Sequence, residues 1–213
     1  MSWSLGESRA LAVKAARGAG MSWGLAEEVG YAVYWLEGRG APGIIALAQY
    51  LSCITQFKQP YHELSRPRLS QNQLVSSGVV CPIALGAAIS DSHLLPAASI
   101  LVYQPLLIVP FLAAIRGKNE ATLAWSEQQV LCTNSGLTVT AKKTLLVVQA
   151  EVTLTLAPLD YISATTLLPL TTRVPDKSLP AIATLEKLAA LTYAPATEAS
   201  RVRGAGAGTS DND

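Results

Sequence analysis

QAEVTLTL, the run Gln149–Leu156, sets Ala150, Val152, Leu154 and Leu156 against Glu151, Thr153 and Thr155. Side chains of a strand point alternately to its two faces, so this run makes one apolar row and one polar row. The same period of two begins upstream, where Ala121, Leu123 and Trp125 are spaced two apart. Val130 to Cys132 reads as a second strand, and Asn134, Ser135 and Gly136 form a turn signal. Leu137, Val139 and Ala141 then alternate again. Consecutive short strands joined by tight turns predict an antiparallel meander. Residues 170–174 are expected to add one more short strand.

Before Ala121 the pattern is helical. Ser4 and Glu7 form an S-x-x-E capping box, which predicts a helix over residues 5–17 with Leu5, Ala12, Ala15, Ala16 and Ala19 available for packing. Gly18 and Gly20 stop it. Ser22 stands where it can cap a second helix over 23–37, in which Leu25, Val29, Ala32, Val33 and Leu36 share a face. Glu27 and Glu28 are assigned to its first turn, where negative charge suits the helix dipole. Gly38 and Gly40 end it, and Pro42 opens a third helix to about Ser52. Residues 55–78, with His62, Arg66, Pro67 and Arg68, read as an irregular polar loop. A buried element follows over 79–89, then a strand over 99–103 and a helix over 106–115. A last helix spans 178–191, with Pro180 in its first turn and Ile182, Leu185 and Ala189 inward. Helices first, a mixed apolar middle, an antiparallel sheet and a last helix make the class α+β. The chain is read as one domain over 1–213: a helical part to about 55, a mixed and sheet part over about 79–175, and a C-terminal helix and loop over 178–213.

The 213 residues are half apolar, enough for a substantial core, and only 15% are charged. That sparse charge hints at a buried homo-oligomer interface, a membrane or a large core. A net charge of +1 gives no support for nucleic-acid binding. Residues 94–115 run 22 positions without a charge, but Pro96, Pro105 and Pro110 divide them, so a buried strand and helix fit better than a membrane span. Cys53, Cys81 and Cys132 are odd in number and lack a CxxC pair, which suits reduced thiols in a cytoplasmic protein. Cys81 has no sequence neighbour to activate it and reads as a buried thiol. Asp91, Ser92 and His93 are adjacent, but catalytic triads assemble in space and no GxSxG elbow supplies a nucleophile. Two scattered histidines make no metal set, whereas Asp211 and Asp213 could bind a hard cation through oxygen, and Glu198, Asp211 or Glu28 could hold a divalent metal; the cofactor is left unknown.

The densest chemistry lies in residues 195–213, PATEASRVRGAGAGTSDND. Arg201 and Arg203 precede Gly204, Gly206 and Gly208. Successive backbone amides in such a loop can form an anion nest, and a guanidinium beside it grips a carboxylate or phosphate as a fork. The run is neither a GxGxxG fingerprint nor a P-loop. The same composition also suits a flexible tail. KAARGAG, residues 14–20, repeats the Arg-then-Gly-Ala-Gly order, so Arg17 joins the candidate ligand set. Glu28, Glu198 and Asp211 are the candidate proton-transfer carboxyls.

At KAARGAGMSWGLAEEVG (14–30), CPIALG (81–86) and TYAPATEASRVRGAGAGTSDND (192–213), the chain resembles an uncharacterised family of bacterial proteins known only as a domain of unknown function. The resemblance implies a bacterial protein, one unit, and a tail that belongs to the fold. It implies no activity. From the residues, the expectation is a protein that binds a small anionic metabolite, a carboxylate or a phosphate, with catalysis on it left open and a non-catalytic homo-oligomeric subunit as the alternative.

Overall fold

The structure is a computed structural model that describes residues 3–56, 67–117, 120–126, 128–133, 136–140, 145–156 and 166–193. Its class is α+β, as expected.

Helix α1 (Leu5–Gly18) starts on the predicted capping box: Ser4 Oγ accepts from the Glu7 amide at 3.2 Å, and Glu7 Oε2 accepts from the Ser4 amide at 2.8 Å. Its end is a Schellman turn. The Gly20 amide donates to the Arg17 carbonyl and the Met21 amide to the Ala16 carbonyl, with Gly20 at φ 89° and Met21 fully buried. Helix α2 (Trp23–Gly38) closes in the same way through Gly40, at φ 68°, and Ala41. Helix α3 (Gly43–Gln56) begins where the buried Glu37 carboxylate accepts from the Ile44 amide at 2.8 Å.

Two expectations in this half need correction. Helix α2 begins at Trp23, so Glu27 and Glu28 lie in its second turn, beyond the unpaired amides of the N-terminus. Ser22 occupies the N-cap position, yet its side chain makes no capping hydrogen bond.

The expected polar loop over 55–78 is partly regular. Helix α3 reaches Gln56, and strands β1 (Arg68–Ser70) and β2 (Gln73–Val75) pair as a hairpin. Gln71 and Asn72 turn it, at φ 47° and 62°. A two-residue turn with both φ values positive matches the twist of the paired strands. Residues 57–66 lie outside the described residues.

The buried run after Val79 is helix α4 (Pro82–Ser92), with Pro82 pre-set for its first turn and His93 closing it at φ 57°. Strand β3 (Ile100–Tyr103), a 3-10 turn (Pro105–Ile108) and helix α5 (Val109–Ile115) account for the charge-free run. No helix among the described residues is long and apolar enough to cross a membrane.

Strands β4 (Ala121–Trp125), β5 (Gln128–Thr133), β6 (Gly136–Val139), β7 (Gln149–Leu156) and β8 (Thr166–Leu167) complete a six-stranded antiparallel sheet with β3. Its order is β3-β7-β4-β5-β6-β8, so only β4-β5-β6 is a meander. Strand β7 returns to lie between β3 and β4, pairing Val152 with Ile100 and Leu154 with Leu123. Its apolar row is the buried one: Val152 and Leu154 are covered, while Glu151, Thr153 and Thr155 are exposed. The strand expected at 170–174 is absent. Pro169 has no amide to extend the ladder from β8, and the chain instead crosses to the helices. There Thr171 donates from its amide to the Gly38 carbonyl at 3.0 Å and from its hydroxyl to the Glu37 carbonyl at 2.6 Å. The Val174 amide reaches the Trp3 carbonyl at 3.0 Å.

Helix α6 (Leu179–Ala190) then packs on α1, with Ile182, Leu185 and Ala189 buried as expected. Helices and sheet contribute to one continuous apolar core.

Candidate functional site

Arg17 stands at the last turn of α1. Its Nη1 donates to the Met21 carbonyl, and its guanidinium carbon lies 4.7 Å from the centre of the Trp23 ring. A cation over an indole face is attracted by the ring quadrupole, so the side chain is held by two contacts at the α1–α2 turn. The glycines around it have separate duties. Gly20 supplies the positive φ of the Schellman turn. Gly18 lies against α6, where any Cβ would collide with the Leu188 carbonyl oxygen. The Arg-Gly-Ala-Gly order of residues 17–20 thus has a full structural account as a helix stop and a helix crossing. Arg17 still keeps guanidinium N–H donors that have no hydrogen-bond partner among the described residues.

Helix α6 ends beside this turn. Lys14 Nζ lies 5.8 Å from the centre of the Tyr193 ring. The remaining members of the expected site, Glu198, Arg201, Arg203, Gly204, Gly206, Gly208 and Asp211, lie outside the described residues.

Glu28 borders a different feature. Ser22, Leu25, Pro67, Ala84, Ala87, Ala88 and Asp91 line a groove of about 410 Å³. Ala84, Ala87, Ala88 and Asp91 recur at the three- and four-residue spacing of one helix face, and Glu28 follows Leu25 by three on α2. Burial pushes the Glu28 carboxyl above the usual range, and the negative charges of Asp91 and Glu27 push it the same way. Sequence reading singled out Glu28 but not Ser22 or the α4 stripe. The signal was present in the spacing from Ala84 to Asp91, hidden because the segment was read only as buried.

The Asp91-Ser92-His93 run closes a helix. Ser92 Oγ donates to the Ala88 carbonyl at 2.6 Å and accepts from the Leu94 amide at 3.2 Å, while the His93 amide donates to the Ile89 carbonyl at 2.8 Å. Cys81 is buried at the N-cap of α4. Its Sγ accepts from Tyr50 Oη at 3.0 Å and from the Ala84 amide at 3.4 Å. Tyr50 lies on α3, so no local pattern could have announced it. Burial pushes the Cys132 thiol up to about 12 and raises that of Cys53. No group of three or more His, Cys, Asp or Glu able to hold a metal occurs among the described residues.

Comparison with curated proteins and with solved structures finds no match. A family match covers the three N-terminal helices but not the CPIALG or C-terminal stretches: residues 3–67 are similar to the family described as Protein of unknown function (DUF3726).

Proposed function

We propose that this chain binds a small anionic metabolite, a carboxylate or a phosphate, at the α1–α2 turn. Arg17, Arg201 and Arg203 hold the anion, together with the amides of Gly204, Gly206 and Gly208. One observation supports the reading: α6 packs against α1 at Gly18, with Lys14 over the Tyr193 ring, so the described chain ends one turn from Arg17. Arginines acting together with backbone amides form the donor set that anions select. In an enzymatic version Glu28 accepts a proton, since its raised pKa moves it toward the range of a useful base. Glu198 and Asp211 are the other carboxyls available to that role.

A specific observation favours a second reading, a non-catalytic homo-oligomer. The outer strand β8 carries exposed Leu167, and Leu170 beyond it is 73% exposed. β8 is an edge strand with unpaired backbone groups, and the exposed leucines at and beyond it are apolar surface that a second chain could bury.

The test is thermal unfolding against carboxylates, phosphates and divalent cations, in the wild type and in Arg201→Ala. A ligand at about 100 times its Kd stabilises by about 2.7 kcal/mol, a Tm rise of roughly 5–10 °C. The anion reading expects a rise with one anion class that is lost in Arg201→Ala. A flat response to every anion, with Tm rising with protein concentration, replaces it with the oligomer.

A further inference from the structure

Lys14 and Arg17 are three residues apart in α1, so they share a helix face with Cβ atoms about 5–6 Å apart. Among the described residues neither pairs with a carboxylate. Each meets an aromatic ring instead, Lys14 that of Tyr193 and Arg17 that of Trp23. Those two residues are 63% and 66% exposed, so the row Tyr193–Lys14–Arg17–Trp23 lies open to water.

The ordinary reason for cations here is the end of the helix, where free carbonyls attract positive charge. In this turn the backbone serves those carbonyls itself: Ala19 donates to Ala15, Gly20 to Arg17 and Met21 to Ala16. One Arg17 donor goes to the Met21 carbonyl, and Lys14 makes no hydrogen bond among the described residues. Two like charges side by side on one helix face repel each other. A dianion neutralises both, whereas a monoanion leaves one uncompensated. Arg17 offers a planar fork for two oxygens, and Lys14 a compact charge with several donors. A phosphomonoester matches that pair, because it gathers two charges and three acceptor oxygens on one centre above its second pKa of about 6. The turn leaves room for it, since a Cβ on Gly20 meets nothing within 4 Å.

We propose that Lys14 and Arg17 form a two-cation clamp for the phosphate dianion of a small soluble phosphomonoester. The inference rests on the anion reading and narrows it: Lys14 joins the site, and phosphomonoesters are selected over carboxylates. A broad acidic surface fits the row less well, because Glu27 is exposed one helical turn beyond Trp23.

Isothermal titration of the full chain near neutral pH with glycerol 3-phosphate, dimethyl phosphate and acetate tests the clamp, beside sedimentation with phosphatidic-acid vesicles. Dimethyl phosphate keeps the phosphorus centre but carries one charge. Glycerol 3-phosphate should bind about tenfold tighter than either monoanion, the scale of one charge-assisted hydrogen bond. Lys14→Gln should abolish that preference and Lys14→Arg should keep it. Lys14 is exposed, so neither change reaches the core. Equal affinity for the three anions overturns the clamp and leaves the anion reading standing. So does a preference that survives Lys14→Gln, or one that Lys14→Arg loses as fully as Lys14→Gln. Binding of none of the three overturns the clamp and the anion reading together. Vesicle binding without binding of glycerol 3-phosphate also overturns the clamp, because the exposed row then serves a lipid surface.

Discussion

The helical layer and the sheet are held together in opposite ways. In the helical layer backbones approach closely at glycine. Gly18 meets the Leu188 carbonyl of α6, Gly30 meets Val13 and Arg9 of α1, and Gly43 meets Leu36 and Val33 of α2. The sheet is held by register and by bulky side chains. Val152, Leu154 and Leu123 fill the covered face, and the ladder sets who pairs with whom. The contrast teaches where each half is fragile. The helices are sensitive to added atoms, the sheet to removed ones.

Three substitutions press on that difference. The largest effect is expected from Leu123→Ala in the middle of β4, which leaves a cavity and costs about 3 kcal/mol. Chemical denaturation should show it, and a loss under about 1 kcal/mol would mean the sheet face collapses freely onto the gap. Gly18→Ala comes next. One added methyl must push α6 from α1, at about 2 kcal/mol. Gly20→Ala is its control, because a Cβ there meets open space and only the positive φ is penalised, at about 1 kcal/mol. If the two alanines cost the same, the glycine contact is not what holds α6.

The smallest effect is at the capping box. Ser4→Ala should lower Tm by about 2–4 °C. It should also change the acid side of the stability curve. Hydrogen bonds from the Ser4 amide and hydroxyl hold the Glu7 carboxyl below its ordinary value, with Arg173 assisting. A carboxyl depressed in the folded state contributes stability above its unfolded pKa of 4.5, and loses it as pH falls through the folded value. The gap between wild type and Ser4→Ala should therefore narrow below pH 4.5. A gap constant across that window would remove Glu7 from the cap.

Local physics made the helices readable. Ser4, Gly20, Gly40 and Pro42 act within one turn of themselves, so their residue types announce where helices begin and end. Glu28 was misplaced by one turn because a carboxyl near a helix start looks the same in the first turn and the second. The hairpin at Gln71-Asn72 escaped because its strands are three residues each and neither has an apolar row. Of the candidate site, Arg17 was legible as an Arg/Gly turn, but its engagement with Met21 and Trp23 was not. The groove was illegible as a groove, since Leu25 and Ala88 are far apart in the chain.

By itself, the sequence determined the alternating strands β4 to β7, the ends of α1, α2 and α6, and the α+β class. Those follow from periods of two and three to four and from short-range caps, all carried by neighbouring residues. Tertiary structure alone decided that β7 returns between β3 and β4, that Gly18 is a contact with α6, that Tyr50 reaches Cys81, and that Asp91 stands near Glu28. Each of these joins residues distant along the chain. Such pairings depend on which buried faces meet, and no local pattern encodes the partner.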